Sequence, residues 1–162
     1  IKHSSVYELF VGLVLFSPSS WVAKYELMYL PLFRKAIKVF GFIPVKRGFG
    51  KSEVSRVIRD GTARLGQGNW IVIFPEGTRV PHGETKRYGL SGALLAVGTS
   101  SNITPIAHNA GRYWGRRSLI KKKGSIVFSI GSQISTFGKS YDEINEEAKT
   151  WIDAETKRID SL

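Results

Sequence analysis

The apolar segment from Trp70 to Phe74 places the strongest constraint on the fold of this chain. No polar side chain interrupts it, and most of its residues are β-branched. A short run of this kind is typical of a strand covered on both faces, as strands are in parallel sheets. Charge returns abruptly in the next residues, Pro75 to Arg79. The segment therefore predicts a buried strand that ends in a polar turn.

Helical patterns and short apolar strands alternate along the rest of the chain. The predicted helices are 6–16, 29–42, 51–65, 90–98 and 141–162, and the predicted strands are 21–27, 42–47, 70–74, 103–107 and 125–130. This alternation predicts an α/β fold, a single layered domain over residues 1–162 with a central, mostly parallel sheet flanked by helices. Ligands bind such sheets beyond the carboxyl ends of the strands, so we expect site residues just after Val45, Phe74 and Ile106.

Composition narrows the class of protein. The chain has 162 residues, of which 42% are apolar, and this excludes a disordered tail. Lys and Arg outnumber Asp and Glu by 24 to 13, a formal charge of +11 that favours phosphate-bearing partners: nucleic acid, nucleotides or an anionic membrane. With no cysteine, thiolate nucleophiles and Cys-ligated metals are excluded.

The first residue is Ile1, and no targeting segment is recognisable. We therefore expect a chain truncated at its N-terminus. The longest apolar run, from Leu9 to Phe16, is far shorter than the roughly 18 residues that a membrane-spanning helix needs.

His3 and Glu8 have the chemical parts of a general base. A carboxylate bonded to one imidazole nitrogen fixes the tautomer and leaves the other nitrogen to accept a proton. Five positions on an ideal helix would place the two side chains on different faces, so His3 must lie in the loop before the helix. The alternative is structural: Ser4 or Ser5 caps the helix while His3 and Glu8 satisfy its terminal amides.

Two strand ends carry groups suited to phosphate. The turn from Glu76 to Arg79 combines backbone N–H groups, a hydroxyl and a guanidinium, and Lys46 and Arg47 follow an earlier strand. The alternatives are an ordinary strand exit with a surface ion pair and a solvated basic face.

Two further basic segments also leave alternatives open. The segment from Arg112 to Lys123 is dense in cations, with Tyr113 and Trp114 interleaved. Such a segment suits nucleic-acid bases, nucleotide phosphates, anionic lipid or plain solvent. The amphipathic helix predicted over 29–42 either packs in the core or lies in a lipid interface through Arg34, Lys35 and Lys38.

Other catalytic motifs are incomplete. The segment from Gly48 to Ser52 imitates the end of a phosphate-binding P-loop, but Val45 stands where the first glycine is required. No Gly-x-Ser-x-Gly sequence occurs, so a serine hydrolase of that type is unsupported. His82 and His108 lack the spacing of a metal site, and we expect none.

Four segments, taken in order, resemble the motifs of the PlsC-like glycerophospholipid acyltransferases. Residues 2–8 stand where this family has Asn-His-x-x-x-x-Asp, with Lys2 in place of Asn and Glu8 in place of Asp. Residues 42–48 resemble its second motif, residues 74–79 match its most specific motif, Phe-Pro-Glu-Gly-Thr-Arg, and residues 103–107 resemble its fourth.

The resemblance implies a glycerol-3-phosphate acyltransferase-like fold and acyl transfer from acyl-CoA or acyl carrier protein to the sn-2 hydroxyl of lysophosphatidic acid or a related lysophospholipid. His3 would be the general base and Glu8 would orient it. The implied phosphate-binding residues are Arg47, Glu76, Gly77, Thr78 and Arg79, and those of an acyl or substrate pocket are Ile43, Pro44, Thr104, Pro105 and Ile106.

The resemblance also implies partners and a location. No cofactor or metal is needed beyond the acyl donor, and the partners are membrane lipids and an anionic membrane surface, at the cytoplasmic face of the bacterial inner membrane. Nucleic acid is then not expected. The competing hypotheses are a basic nucleic-acid-binding module without enzymatic activity and a catalytically silent lipid-binding protein.

Overall fold

The computed structural model describes residues 1–31, 34, 35, 37, 40–46 and 51–162. In that part of the chain the elements, in order, are α1 (Tyr7–Leu15), β1 (Ser19–Lys24), a 3-10 helix (Tyr25–Tyr29), β2 (Ile43–Val45), α2 (Lys51–Gly66), β3 (Trp70–Val72), α3 (Ser91–Gly98), β4 (Ile106–His108), α4 (Ala110–Tyr113), β5 (Phe128–Ile130) and α5 (Tyr141–Asp160). No helix within these described residues is long and apolar enough to cross a bilayer.

The chain divides into two compact units. Unit 1 comprises Ile1–Val11 and Phe74–Leu162, and unit 2 comprises Gly12–Ile73. Such units need not be separate domains, so the expectation of one domain over residues 1–162 stays a prediction.

Unit 2 contains a parallel sheet in the order β2-β1-β3. Val22 of β1 pairs with Ile43, and Ser20 pairs with Ile71. Trp21 lies between them in β1 and is 1% exposed, and α2 packs against β2 and β3. A parallel sheet flanked by helices confirms the predicted α/β class.

Unit 1 is organised around the antiparallel pair β4 and β5, in which Ala107 faces Ser129. Helix α5 packs against β4 and α3 and buries Ile144, Ile152 and Ile159. It begins with a capping box, in which Ser140 and Glu143 each accept the backbone N–H of the other.

The predicted strands at 21–27 and 103–107 differ from the structure. Strand β1 ends at Lys24, opposite the last residue of β2, and the chain continues directly into the 3-10 helix, so residues 25–27 are not part of the strand. Residue 103 forms only an isolated bridge to Ile134, and the ladder begins after Pro105, whose nitrogen carries no hydrogen to donate.

The helix predicted over 29–42 falls partly outside the described residues. Pro31, Arg34, Lys35 and Ile37 are helical, and Ile37 is buried while Arg34 and Lys35 are exposed. Lys38, Arg47 and the segment from Gly48 to Gly50 lie outside the described residues.

Candidate active site

His3 and Glu8 are in direct contact. His3 lies in the extended segment before α1, as the spacing requires, and Glu8 lies in the first turn of that helix. The His3 Nδ1 and Glu8 Oε1 atoms are 2.6 Å apart. When Nδ1 donates its proton to the carboxylate, Nε2 carries the lone pair that can accept a proton from a substrate.

The same Glu8 carboxylate closes the N-terminus of α1. It accepts the N–H groups of Ser4, at 3.1 Å, and Ser5, at 2.8 Å, and the Ser5 hydroxyl accepts the N–H of Tyr7 at 3.1 Å. Helix capping and orientation of the imidazole are therefore not alternatives. One carboxylate does both.

Burial shifts the acidity of Glu8. Its side chain has no exposed surface. Burial raises the pKa of Glu8 from 4.5 to about 7, although His108 and the N–H groups of Ser4 and Ser5 pull it down. The charge needed to orient His3 is thus gained near neutral pH.

The polar turn after β3 is folded around His3. The imidazole stacks on Phe74, with ring centroids 4.0 Å apart and planes inclined by 16°. The His3 N–H donates to Glu76 Oε2 at 2.7 Å, and the His3 carbonyl accepts the N–H of Val80 at 2.7 Å. Residues more than seventy positions apart thus share one site.

Glu76 anchors the His3 segment. Its buried carboxylate forms an ion pair with Lys2, whose Nζ lies 3.1 Å from Glu76 Oε1 and also donates to the Glu84 carbonyl at 3.1 Å. A carboxylate has no hydrogen to donate and would repel a phosphate. The predicted contact between the Glu76 side chain and a phosphate is therefore wrong, because this carboxylate binds Lys2 and the His3 N–H instead.

The other turn residues lie between Glu76 and Val80, the two residues of the turn that hydrogen-bond the His3 backbone. Gly77 has a φ of +61°, a conformation that favours glycine, and its N–H donates to the Phe74 carbonyl at 2.9 Å. Thr78 and Arg79 follow and are half-buried. Among these, the Thr78 hydroxyl and the Arg79 guanidinium have the chemistry that suits a phosphate.

His108 also lies in the candidate active site, although the sequence analysis did not predict it there. It ends β4 and has no exposed side-chain surface. Its Nδ1 accepts the N–H of Ala110 at 3.2 Å, so the proton is on Nε2, which donates to the Lys2 carbonyl at 2.8 Å and lies 3.4 Å from Glu8 Oε2. Burial lowers the pKa of His108, which favours this neutral form.

The residues predicted for an acyl or substrate pocket are divided between the units. Ile43 and Pro44 belong to β2 in unit 2, where Ile43 is 1% exposed. Thr104, Pro105 and Ile106 belong to unit 1, and the last two are buried. Their contact with substrate stays a prediction.

Metal ligands are not clustered in the described part of the chain: no group of three or more His, Asp or Glu side chains there could hold an ion.

A comparison with known protein families matches a region that begins at His3. A sequence model of the Acyltransferase family matches residues 3–109, about two thirds of the chain. The chain belongs to the Acyltransferase family. Its site residues from His3 to His108 all lie within the matched region.

Named relatives support the same assignment. This acyltransferase-family chain is 36% identical over 154 residues to a 1-acyl-sn-glycerol-3-phosphate acyltransferase of Pseudomonas aeruginosa, an alignment that covers 93% of this chain and 60% of that protein. It is 35% identical over 86 residues to the enzyme of the same name from Helicobacter pylori, covering 52% of this chain and 35% of that protein.

The fold matches a solved acyltransferase. The crystal structure of the 1-acyl-sn-glycerophosphate acyltransferase PlsC from Thermotoga maritima superposes with a TM-score of 0.77 and 19% sequence identity, over 99% of this chain and 65% of that one. The acyltransferase-family chain therefore spans less than two thirds of the length of each of these relatives.

We expect the buried pair of Lys2 and Glu76 to be energetically coupled. Lys2→Met and Glu76→Gln each leave one buried charge without its partner and should each lower the free energy of unfolding by about 3–5 kcal/mol. The double variant removes both charges, so its loss should be about 1–3 kcal/mol smaller than the sum of the two. Urea unfolding of the four proteins measures this.

The surface pair Lys139 and Glu147 provides the control. Its Nζ and Oε2 atoms are also in contact, but both side chains are partly exposed. Lys139→Met and Glu147→Gln should change stability by about 0–1 kcal/mol, with little coupling. Strictly additive losses at Lys2 and Glu76 would contradict the proposed anchoring.

Proposed function

We propose that this chain transfers an acyl group from an acyl thioester to the sn-2 hydroxyl of lysophosphatidic acid or a related lysophospholipid. The observation that carries this proposal is the His3 Nδ1 to Glu8 Oε1 contact of 2.6 Å beside the turn of Glu76 to Arg79. Membership of the Acyltransferase family and the names of the relatives support it. A nucleic-acid-binding module would give this pair of side chains no task.

In the proposed reaction, His3 Nε2 removes the proton of the acceptor hydroxyl while Glu8 holds the imidazole through Nδ1. The hydroxyl oxygen attacks the thioester carbonyl and forms the new ester bond, the carbon–sulfur bond breaks, and the imidazolium returns its proton to the leaving thiolate. Atoms and charge balance without an acyl-enzyme. Positioned general-base catalysis of this kind contributes about 10² to 10⁴ in rate.

We propose that the Arg79 guanidinium and the Thr78 hydroxyl grip the acceptor's phosphate and so place its hydroxyl at His3. Arg47, which lies outside the described residues, is proposed for the same phosphate. Positioning of this type lowers the barrier by fixing the reacting groups before reaction.

The acyl donor and the location follow the same reasoning. Acyl-CoA and acyl carrier protein both present an activated thioester and negative charge, which suits a chain of +11. No cofactor is proposed beyond the donor. The proposed acceptor is a membrane lipid, so we propose that the protein works at the cytoplasmic face of the bacterial inner membrane. The resemblance to the family is the basis for a separate proposal, that substrate is contacted by Ile43, Pro44, Thr104, Pro105 and Ile106.

The first test is release of free thiol from palmitoyl-CoA with a panel of lysophospholipids, using the protein in detergent. His3→Ala should lower turnover by about 10² to 10⁴ because it removes the base. His82→Ala is the matched control, since His82 is a more exposed histidine of unit 1. Turnover by His3→Ala at the control's rate would remove the mechanism.

Replacing Arg79 tests the proposed binding of the acceptor's phosphate. Arg79→Ala should raise KM for the acceptor about tenfold or more, because a charge-assisted hydrogen bond is lost, while KM for the donor changes little. Arg87→Ala, which removes an exposed arginine of the same unit, is the control. An unchanged acceptor KM in Arg79→Ala would exclude this residue from phosphate binding.

The pH dependence of turnover tests the role of Glu8. Burial raises the pKa of Glu8 to about 7, so below that pH its carboxyl group is protonated and cannot accept the Nδ1 proton of His3. Turnover should therefore rise as the pH increases through about 7 and then level off. The step belongs to the coupled His3–Glu8 pair.

Glu8→Gln removes this ionisation and should lower turnover by about 10²-fold or more and displace the midpoint of the pH profile. The exposed Glu146→Gln should change neither quantity. The same midpoint in wild type and Glu8→Gln would show that residue 8 does not set the profile.

A further inference from the structure

Two aliphatic side chains stand almost fully in solvent at the tip of a basic loop. Leu119 is 98% exposed and Ile120 is 76% exposed. They lie in residues 114–123, which we call the basic-aliphatic loop. Adjacent, strongly exposed aliphatic residues on a basic loop are a feature of surfaces that meet an apolar partner.

The charge around this tip is of one sign. The basic-aliphatic loop contains no acidic residue, and its exposed cations are Arg116, Arg117, Lys121, Lys122 and Lys123. An anionic membrane attracts such a cluster, and each basic residue near the surface strengthens binding by about fivefold. Aliphatic tip and cationic flanks together match the layering of a bilayer, in which acyl chains lie beneath phosphates.

Hydrogen bonds hold the loop in a defined shape. The Lys122 N–H donates to the Tyr113 carbonyl at 2.8 Å and closes the loop at its base. Trp114 Nε1–H donates to the Ser118 carbonyl at 3.1 Å, and the Ser118 hydroxyl donates to the Ile120 carbonyl at 2.7 Å. Because the backbone is already ordered, presenting the tip to a partner costs less conformational entropy.

The base of the loop is attached to the candidate active site within unit 1. The Ser5 hydroxyl, which caps α1, donates to the Trp114 carbonyl at 2.6 Å. Arg116 Nη1 donates to the Arg79 carbonyl at 3.4 Å. A partner bound to the loop would therefore sit next to the segments that carry His3 and Arg79.

We propose that the basic-aliphatic loop docks this protein on an anionic phospholipid bilayer, with Leu119 and Ile120 among the acyl chains and the cations at the lipid phosphates. Nucleic acid fits less well, because single strands are held by exposed aromatic faces. The tip of this loop is aliphatic, and Lys121 Nζ lies over the half-buried Trp114 ring, 4.5 Å from its centroid.

Cosedimentation with unilamellar vesicles tests the apolar part of this proposal. The vesicles contain phosphatidylglycerol and phosphatidylcholine, and neither donor nor acceptor is present, so the result is independent of acyl transfer. Leu119→Ser with Ile120→Ser should weaken binding about tenfold or more, because two side chains no longer leave water.

The matched control removes two exposed apolar side chains elsewhere in unit 1. Phe137 is 94% exposed and Leu162 is 81% exposed. Phe137→Ser with Leu162→Ser should leave vesicle binding within about twofold of wild type. Equal loss in both double variants, or no loss in either, would overturn the proposal.

Charge is tested in the same assay. Lys122→Gln with Lys123→Gln should weaken binding about tenfold, and Lys86→Gln with Lys157→Gln, which removes two exposed charges elsewhere in unit 1, should have a clearly smaller effect. Binding should fall on vesicles of phosphatidylcholine alone. Equal effects of the two charge variants would overturn the proposal.

A spectroscopic readout reports insertion directly. The chain has no cysteine, so Ile120→Cys can be labelled at a single position with a polarity-sensitive fluorophore. Its emission should shift to the blue on addition of the anionic vesicles, whereas the label on Phe137→Cys should not respond. No shift at residue 120, or salt-sensitive binding of a single-stranded oligonucleotide without vesicle binding, would overturn the proposal.

Discussion

The Glu8 carboxylate lies where no water reaches it, and the beginning of α1 is arranged to satisfy its oxygens. Two backbone N–H groups and the imidazole of His3 contact it directly, and His108 Nε2 lies 3.4 Å away. A buried carboxylate with fewer partners would cost several kcal/mol and would stay protonated. Folding of the helix terminus and readiness of the imidazole therefore depend on the same set of contacts.

The segment before α1 is held in place as if it were part of a sheet. The Lys2 N–H donates to the Ile106 carbonyl at 3.0 Å, and the Lys2 carbonyl accepts from His108. On its other side Glu76 pairs with the Lys2 ammonium. Backbone and ionic contacts thus fix Lys2, the residue before His3, while the contacts with Glu8 and Phe74 orient the His3 ring.

Two features of the fold could be predicted from local sequence patterns. The spacing of His3 and Glu8 required the histidine to precede the helix, and the apolar run from Trp70 to Phe74 predicted a parallel strand that ends at a polar turn. The position of His3 follows from helical geometry. Strand β3 is parallel to β1 as predicted, but it covers only Trp70–Val72 and Trp70 is 50% exposed, so the prediction of a strand buried on both faces was wrong at that end. The candidate site residues within unit 1 come together because strand ends and a helix N-terminus meet there.

Other features depend on long-range contacts that no local pattern encodes. Glu76 was predicted for phosphate from its place in the turn, yet its partner is Lys2, far away in sequence. His108 was dismissed as a metal ligand, and its proximity to Glu8 follows from the pairing of β4 with the first residues. The sequence feature that could have pointed to His108 is the run His-Asn-Ala-Gly at residues 108–111, directly after a predicted strand. In the structure the N–H of Ala110 in this run donates to His108.

Residues that follow the fourth motif, which ends at residue 107, also contact the candidate active site. The Trp114 carbonyl receives the hydroxyl of Ser5, and the ring of Phe128 in β5 lies 4.8 Å from that of His108. A shortened polypeptide cut after Asn109 would keep all the recognisable motif residues and lose these supports. A fragment whose ends are chosen from the motif residues alone would therefore contain the candidate catalytic residues but lack contacts that hold them in place.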